Sequence, residues 1–361
     1  MLCIFAFIIF LIFFPILGFF PKYRILFRRS WSCVFKKITL KPCDINLGEE
    51  LKTAFLGKIF FRFPRAAKFL DKTFSFWAFL FVIINIWSLV STLTAAVNLW
   101  VYDTCDPVSG ESCSLSGEAC GVALNSLSWE EAVRQNKLGQ WTLQPITQYA
   151  DTLSRIPDRM KTWKALDYLA PKPTYYLPFD QNKPTAVEFV DPGCIYCKKL
   201  FENIKKAQFE KTHNLTYVVY PIPDKNKPLD YKFQASKTIA TYLEALKRVP
   251  LENATTPADW QLLSYFFSAK DPVYFDVQNK FNNSLAKDQI SPEIEKILKE
   301  KIGYNDDQIG KIKVLVDSPE VQKDLQIQKE IVEQKVKTIR IPTIIFGGRR
   351  YDRVIDSDKL K

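Results

Sequence analysis

Two cysteines separated by two residues, Cys194-Ile195-Tyr196-Cys197, follow directly on the run Glu188-Phe189-Val190-Asp191-Pro192-Gly193. Such a pair can carry out thiol–disulfide exchange. One sulfur attacks as a thiolate, and the second resolves the mixed disulfide that forms. The chemistry requires a lowered thiol pKa at the attacking sulfur, and the flanking residues supply a setting for it. Thr185 to Val190 reads as a buried strand, Pro192-Gly193 as its turn, and Lys198 to Lys211 as a helix with Leu200, Phe201, Ile204 and Ala207 on one face. Cys194 then stands at a helix N-terminus, where unpaired N–H groups and the positive end of the helix dipole favour the thiolate. Cys197, one turn on, is placed to resolve.

Competing chemistries find less support. A zinc site needs four ligands, and the chain has a single histidine, His213, and no second CxxC. An inert structural disulfide across so short a loop is strained, and strained disulfides are more often redox-active. There is no Walker loop, no GxGxxG and no HExxH. His213 follows a helical pattern ending at Lys211 and reads as a helix-end residue rather than a base. No metal or organic cofactor is expected, because the Cys194–Cys197 dithiol is itself the redox group.

A distant segment must complete the site. Pro342 opens a strand from Thr343 to Phe346, Gly347-Gly348 makes a tight turn, and a partner strand runs from Arg349 to Arg353. A proline between β-branched residues at a strand start is compatible with a cis peptide bond, which would leave the backbone of Ile341 free to pair with an incoming peptide. A trans proline ending a loop fits the same residues.

Together these residues resemble the thioredoxin superfamily, and within it the bacterial periplasmic disulfide oxidoreductases of the Dsb type. The resemblance covers about residues 175 to 361. It rests on Glu188 six positions before Cys194, the CxxC itself, and Ile341-Pro342-Thr343 followed by Gly-Gly-Arg-Arg-Tyr. It implies that Glu188 relays a proton for Cys197, that Pro342 is cis and faces Cys194, and that Ile341, Thr343, Ile195 and Tyr196 border a groove for substrate peptide. It also implies cysteine-containing protein substrates and a membrane redox partner that recycles the dithiol. Two departures limit it. Family oxidases usually carry a proline followed by a histidine between the cysteines, and isomerases often a glycine followed by a tyrosine, so Ile195-Tyr196 leaves the direction of electron flow open. Only nineteen residues follow Pro342, so the last helix of the fold must begin near Ser357 and be very short or missing.

Between the two halves of the site lie 144 residues, Lys198 to Ile341, far more than a minimal thioredoxin fold needs. The expected fold is therefore α/β and thioredoxin-like with an inserted helical lobe at about 212–337, plus N-terminal transmembrane helices. Thr256-Pro257 should start a helix carrying Trp260, Leu263, Phe266 and Phe267. Ser291-Pro292 should start another, stopped by Gly303, and Ser318-Pro319 a third. The aromatic cluster reads as helical core before it reads as a ligand box.

The N-terminal half addresses location. Residues 73–102 contain no charged side chain and are long enough to span a bilayer as a helix, with Trp77 and Trp100/Tyr102 near the two interfaces. Residues 1–20 read as a first, retained span kinked at Pro15, since no convincing cleavage site follows. The loop between them, 21–72, holds 13 Lys or Arg against 4 Asp or Glu, while residues 103–361 account for only +2 of the chain's net +11. By the positive-inside rule the loop is cytoplasmic and the CxxC domain faces the periplasm from a bacterial inner membrane. Attraction to anionic membrane lipid accounts for the basic loop without nucleic acid.

Cys105, Cys113 and Cys120 lie in a Ser/Gly/Asp/Glu-rich stretch within a linker and helical module spanning 103–174. One local disulfide and one odd thiol are expected; that thiol could exchange with the CxxC, pair between subunits in a homo-oligomer, or stay reduced. Cys3, Cys33 and Cys43 should form no stable disulfide. Ser128-Trp-Glu-Glu-Ala-Val133 opens a helix in the module, which could serve as a spacer or docking surface. Two functions follow: a membrane-anchored thiol:disulfide oxidoreductase, or an interaction component of an envelope-spanning conjugation or secretion apparatus that uses the fold as a platform.

Overall fold

The β-branched and aromatic run Thr185–Val190 and the equally apolar Asn214–Val219 lie side by side in parallel, the pairing expected of strands buried on both faces. They are the centre of a computed structural model that describes residues 64–102, 104, 107, 119–122, 129–224, 227, 230–252 and 254–360. The expected first span, the basic loop up to residue 63, and Cys3, Cys33, Cys43, Cys105 and Cys113 lie outside those residues. The chain falls into two units, one ending at Val97 and one comprising Asn98–Lys361.

Helix α1 runs over Pro64–Tyr102, so helix begins nine residues ahead of the expected span and takes in the end of the basic loop. Among the described residues, no helix is long and apolar enough to cross a membrane. In the second unit, strand β1 (Cys120–Gly121) precedes a helical module: α2 (Trp129–Arg134), α3 (Leu138–Ser154) and α4 (Ile156–Met160). The module is fastened to the rest by Arg155, which donates to the Lys337 carbonyl at 2.6 Å, and by the Trp163 amide, which donates to the Gly348 carbonyl at 2.9 Å.

The central sheet has four strands. β2 (Thr185–Val190) leads through α5 (Ile195–Ala207) and the short α6 (Phe209–Thr212) to β3 (Asn214–Val219), a parallel crossover. On the other edge β2 pairs antiparallel with Thr343–Phe346, which turns through Gly347-Gly348 into Arg349–Tyr351. Both turn glycines have positive φ, 55° and 74°, a backbone region that a side chain disfavours. A 3₁₀ turn at Ser357–Lys359 follows β8. His213 caps the end of α6 and stacks on Phe209, 3.9 Å between ring centroids.

The inserted lobe lies between β3 and the proline segment. It comprises α7 (Ser236–Leu246), α8 (Ala258–Ser268), a small hairpin of β4 (Lys270–Asp271) and β5 (Phe275–Asp276), α9 (Val277–Asn283), α10 (Lys287–Ile297), α11 (Asp306–Val316) and α12 (Pro319–Glu330). Three expectations change. The insertion starts after Val219 rather than at 212, because Asn214–Val219 is itself a buried sheet strand. Helix α10 starts at Lys287, not at Ser291-Pro292: Asp288 opens it, the Gln289 side chain accepts from the Ala286 amide at 3.2 Å, and Pro292 sits inside. The start at Ser318-Pro319 stands, with the Ser318 hydroxyl accepting from Val321 N, while α8 begins one residue later than Thr256-Pro257 implied, with Pro257 at its N-cap and Ala258 first. A π-helical turn, Leu298–Ile302, ends at Gly303 with φ 98°.

Trp260 is fully buried and packs edge-on against Tyr217 and Tyr176, 4.7 and 5.3 Å between centroids, so the aromatic cluster of α8 is core. Asp259 beside it accepts from Tyr217 at 2.8 Å and from Thr174.

The last three strands complete the fold around the site. β6 (Arg340–Ile341) pairs with β1, and β7 (Thr343–Phe346), with β8 (Arg349–Tyr351), closes the sheet in the order β3-β2-β7-β8. A single residue, Pro342 after a cis bond to Ile341, separates β6 from β7. Parallel crossover, antiparallel return and CxxC at the first helix start together make this a thioredoxin-like fold with a helical insertion.

Candidate active site

Cys194 is the N-cap of α5, as its place after the Pro192-Gly193 turn requires; its carbonyl accepts from Cys197 N at 3.1 Å and Lys198 N at 3.3 Å. Its sulfur lies 3.6 Å from the Ile341 carbonyl oxygen, so the proline bend 147 residues on does meet the first cysteine. Pro342 is cis, as the resemblance implied.

The disulfide is not the expected one. Cys194 is bonded to Cys120, and Cys197 is free and fully buried. Of the fates open to the odd thiol of the 105–120 stretch, the structure contains exchange with the CxxC. The reason is long-range: β1 lays Cys120 opposite Ile341 and Gly121 opposite Arg340, and Val122 N donates to the Ile339 carbonyl at 2.8 Å. The Ile341 backbone, expected to receive a peptide, receives a strand of its own chain.

Behind the sulfurs the site is dry. Burial pushes the Cys197 thiol well above the ordinary cysteine range, partly offset by the Asp191 amide that donates to its sulfur at 3.4 Å, while the Glu188 and Asp191 charges push it further up. Glu188 is buried in β2, its Oε1 has no hydrogen-bond partner, and burial raises its pKa to about 8. A carboxyl that titrates near neutrality, electrostatically coupled to the resolving thiol, is suited to exchange a proton with it.

Asp191 was quoted in the motif without a role, yet it organises the turn. Its carboxylate accepts from Gly193 N at 2.8 Å, from Ile222 N at 2.7 Å and from the Ser236 hydroxyl. Burial outweighs these bonds and raises its pKa to about 6. Gly193 is required for space: a Cβ there would overlap Phe233 and Ser236. The inserted lobe holds the same turn from the far side. Gln278 Nε2 donates to the Pro192 and Cys194 carbonyls at 2.8 and 3.2 Å, and Asn282 Nδ2 to the Gly193 carbonyl at 2.8 Å. The Lys198–Asp276 ion pair, 2.6 Å, ties α5 to the same lobe.

The remaining expected residues divide. Ile195 is 64% exposed beside the sulfurs, and Tyr196 is half-buried against the core. Thr343 is not exposed to a groove: it is buried, its hydroxyl within 2.7 to 2.9 Å of the Arg340 carbonyl, Thr338 and Asp352. It braces the bend. Sequence reasoning missed Gln278, Asn282 and Ser236 because polar residues in an insertion carry no local signal of what they face. Cys120 and its exchange with the CxxC were among the alternatives the sequence left open, but nothing local chose between them.

No protein-family model matches the chain, and no curated protein matches it. Among solved structures it is similar to ScsC of Proteus mirabilis in a transitional conformation, at 16% identity and a TM-score of 0.36, covering 66% of this chain and 95% of that one. It is similar to the thiol-disulfide exchange protein alpha-DsbA2 of Wolbachia pipientis at 18% identity, TM-score 0.35, covering 52% and 83%. MdbA, a thiol-disulfide oxidoreductase from Corynebacterium diphtheriae, is 12% identical with a TM-score of 0.38, covering 55% and 99%. The thioredoxin-like fold stands on the parallel crossover, the antiparallel return and the CxxC at the start of α5.

Proposed function

We propose that this chain is a membrane-anchored thiol:disulfide oxidoreductase acting on cysteine-containing proteins outside the cytoplasm. The observation that carries the reading is the placement of the Cys194 sulfur at a helix start, against the Ile341-Pro342 bend and one turn from a second thiol. In the forward direction a substrate thiolate attacks Cys194 Sγ of a Cys194–Cys197 disulfide, forming a mixed disulfide and releasing Cys197 as a thiolate, which takes a proton through Glu188. A second substrate thiol then displaces Cys194, and the substrate leaves oxidised. Run backwards, the same steps reduce a substrate. In both directions Cys194 exchanges with substrate, Glu188 moves the proton and the Ile341 backbone pairs with the substrate strand; Cys197 is the leaving group when substrate is oxidised and resolves the mixed disulfide when substrate is reduced.

Membrane anchoring is supported by the uncharged run 73–102 and the basic stretch 21–72 ahead of it. That charge asymmetry favours a periplasmic catalytic domain in a bacterial inner membrane, with a membrane redox partner returning the dithiol to its working state.

The test is oxidation or reduction of a two-cysteine peptide by the full chain. Cys194→Ser should abolish turnover, and undiminished turnover in that variant defeats the reading. A docking role is favoured by one feature, the exposed Leu143 and Ile146 on α3 and Trp129 on α2. It would stand if Cys194→Ser left the biological function intact.

A further inference from the structure

The peptide that occupies the bend belongs to the chain itself. Cys120 lies opposite Ile341 and Gly121 opposite Arg340 in an antiparallel pair, and Val122 extends it through its 2.8 Å bond to the Ile339 carbonyl. Cys120 and Val122 are both almost fully buried. The Cys120 sulfur is bonded to Cys194, the sulfur at the helix start, across 74 residues of sequence. Backbone addition at the strand before Pro342, with a cysteine delivered to Cys194, is the geometry an extended external peptide would need there.

We propose that residues 120–122 are a tethered internal substrate and that Cys120 is a third redox-active residue of the site. Held as the Cys120–Cys194 disulfide, the segment closes the groove to other proteins. Release needs no outside oxidant. The Cys197 thiol gives up its proton and its sulfur attacks Cys194 Sγ; the Cys194–Cys197 bond forms, the Cys120–Cys194 bond breaks, and the electron pair leaves on Cys120, which takes a proton to become a thiol. One disulfide and one thiol stand on each side of the step. Buried Cys197 is placed for this attack, since it follows Cys194 by one helical turn and is the free cysteine beside it. In reverse, the Cys120 thiol reseals the groove. A tethered thiol of this kind acts at an effective concentration on the order of millimolar, so it outcompetes protein thiols present at micromolar levels. The site is therefore opened by pulling the 120–122 strand away as much as by supplying a substrate.

This inference takes the groove of the proposed oxidoreductase as its premise, and two measurements separate the two. Full-chain Cys197→Ser, digested without reduction and mapped by mass spectrometry, should yield a peptide joining Cys120 to Cys194; a free Cys194 thiol, or Cys194 joined elsewhere, overturns the proposal. After oxidation with glutathione disulfide, full-chain Cys120→Ser should react with a micromolar two-cysteine peptide about tenfold or more faster than the unaltered chain, the tethered competitor being gone. Val122→Pro keeps Cys120 but deletes the donor to Ile339, so it should accelerate the reaction in the same direction. Rates equal to or below the unaltered chain in both variants overturn the internal substrate, whereas turnover that survives Cys194→Ser strikes at the oxidoreductase reading instead.

Discussion

The side-chain amide of Gln278 donates to the carbonyl of Cys194 at 3.2 Å, so a helix of the insertion, not the sheet, holds the peptide unit that carries the reactive sulfur. The same amide reaches the Pro192 carbonyl at 2.8 Å, and Asn282 beside it takes the Gly193 carbonyl between them. Three consecutive acceptors of the active-site turn are thus satisfied from one face of α9, which makes the lobe part of the catalytic geometry rather than an appendage.

Replacing Gln278 with alanine takes the side-chain donor from the buried Pro192 carbonyl and leaves the Cys194 carbonyl only its helix bonds from Cys197 N and Lys198 N. A loss of about 1–3 kcal/mol in unfolding free energy is expected, since the cost is desolvation of a group left unpaired. The reduction potential of the CxxC should move with it. Denaturant titration and glutathione equilibration check both, and a variant unchanged in the two would show that the lobe does not govern the turn.

Gly193→Ala is expected to destabilise by about 1–3 kcal/mol, because the added methyl must displace Phe233 or Ser236 in a closed part of the core. Ser236 also holds the Asp191 carboxylate, so the shift should reach the turn. Thermal unfolding at constant pH reads the cost, and a Tm equal to that of the unaltered chain would refute the overlap.

Glu188 makes the stability of the fold depend on pH in a definite direction. Its pKa is raised by burial to about 8 in the native state, against an ordinary carboxylate value of 4.5. The native state therefore binds the proton more tightly than the unfolded chain does. The advantage of the protonated form is complete below the unfolded value, declines as the pH rises and is gone above about 8. Glu188→Gln removes that decline, so its Tm relative to the unaltered chain should improve by several degrees between about pH 5 and about pH 8. The same variant should slow resolution of a mixed disulfide by about a hundredfold or more, the usual reach of a lost general acid–base. A pH-independent Tm difference would place the ionisation elsewhere.

Burial that raises the Cys197 thiol also protects it. Iodoacetamide should modify Cys197 many-fold more slowly in the folded chain than in urea, with peptide mass mapping as the readout. Equal rates in the two conditions would contradict a dry, protonated resolving thiol.

Local chemistry was legible before any coordinates. The strand, turn and helix around Cys194, the hairpin at Gly347-Gly348 and the cap at Ser318 all follow from side-chain period, proline, glycine and cap residues acting over a few positions. Where two local signals competed, the reading slipped. Pro292 looked like a helix start, but the earlier start at Lys287 left it inside α10. Asn214–Val219 reads as part of the insertion because a six-residue run does not by itself declare its sheet partner.

What the amino-acid order determined by itself is that a reactive cysteine sits at a helix start with a second one turn later, since that depends on neighbours in sequence. Which sulfur bonds to Cys194, which distant carbonyl faces it, and which amides hold its turn were decided by tertiary structure alone. Those contacts join positions 74 to 147 residues apart, and their energy depends on register and burial, which exist only once the sheet and the lobe have closed around the site.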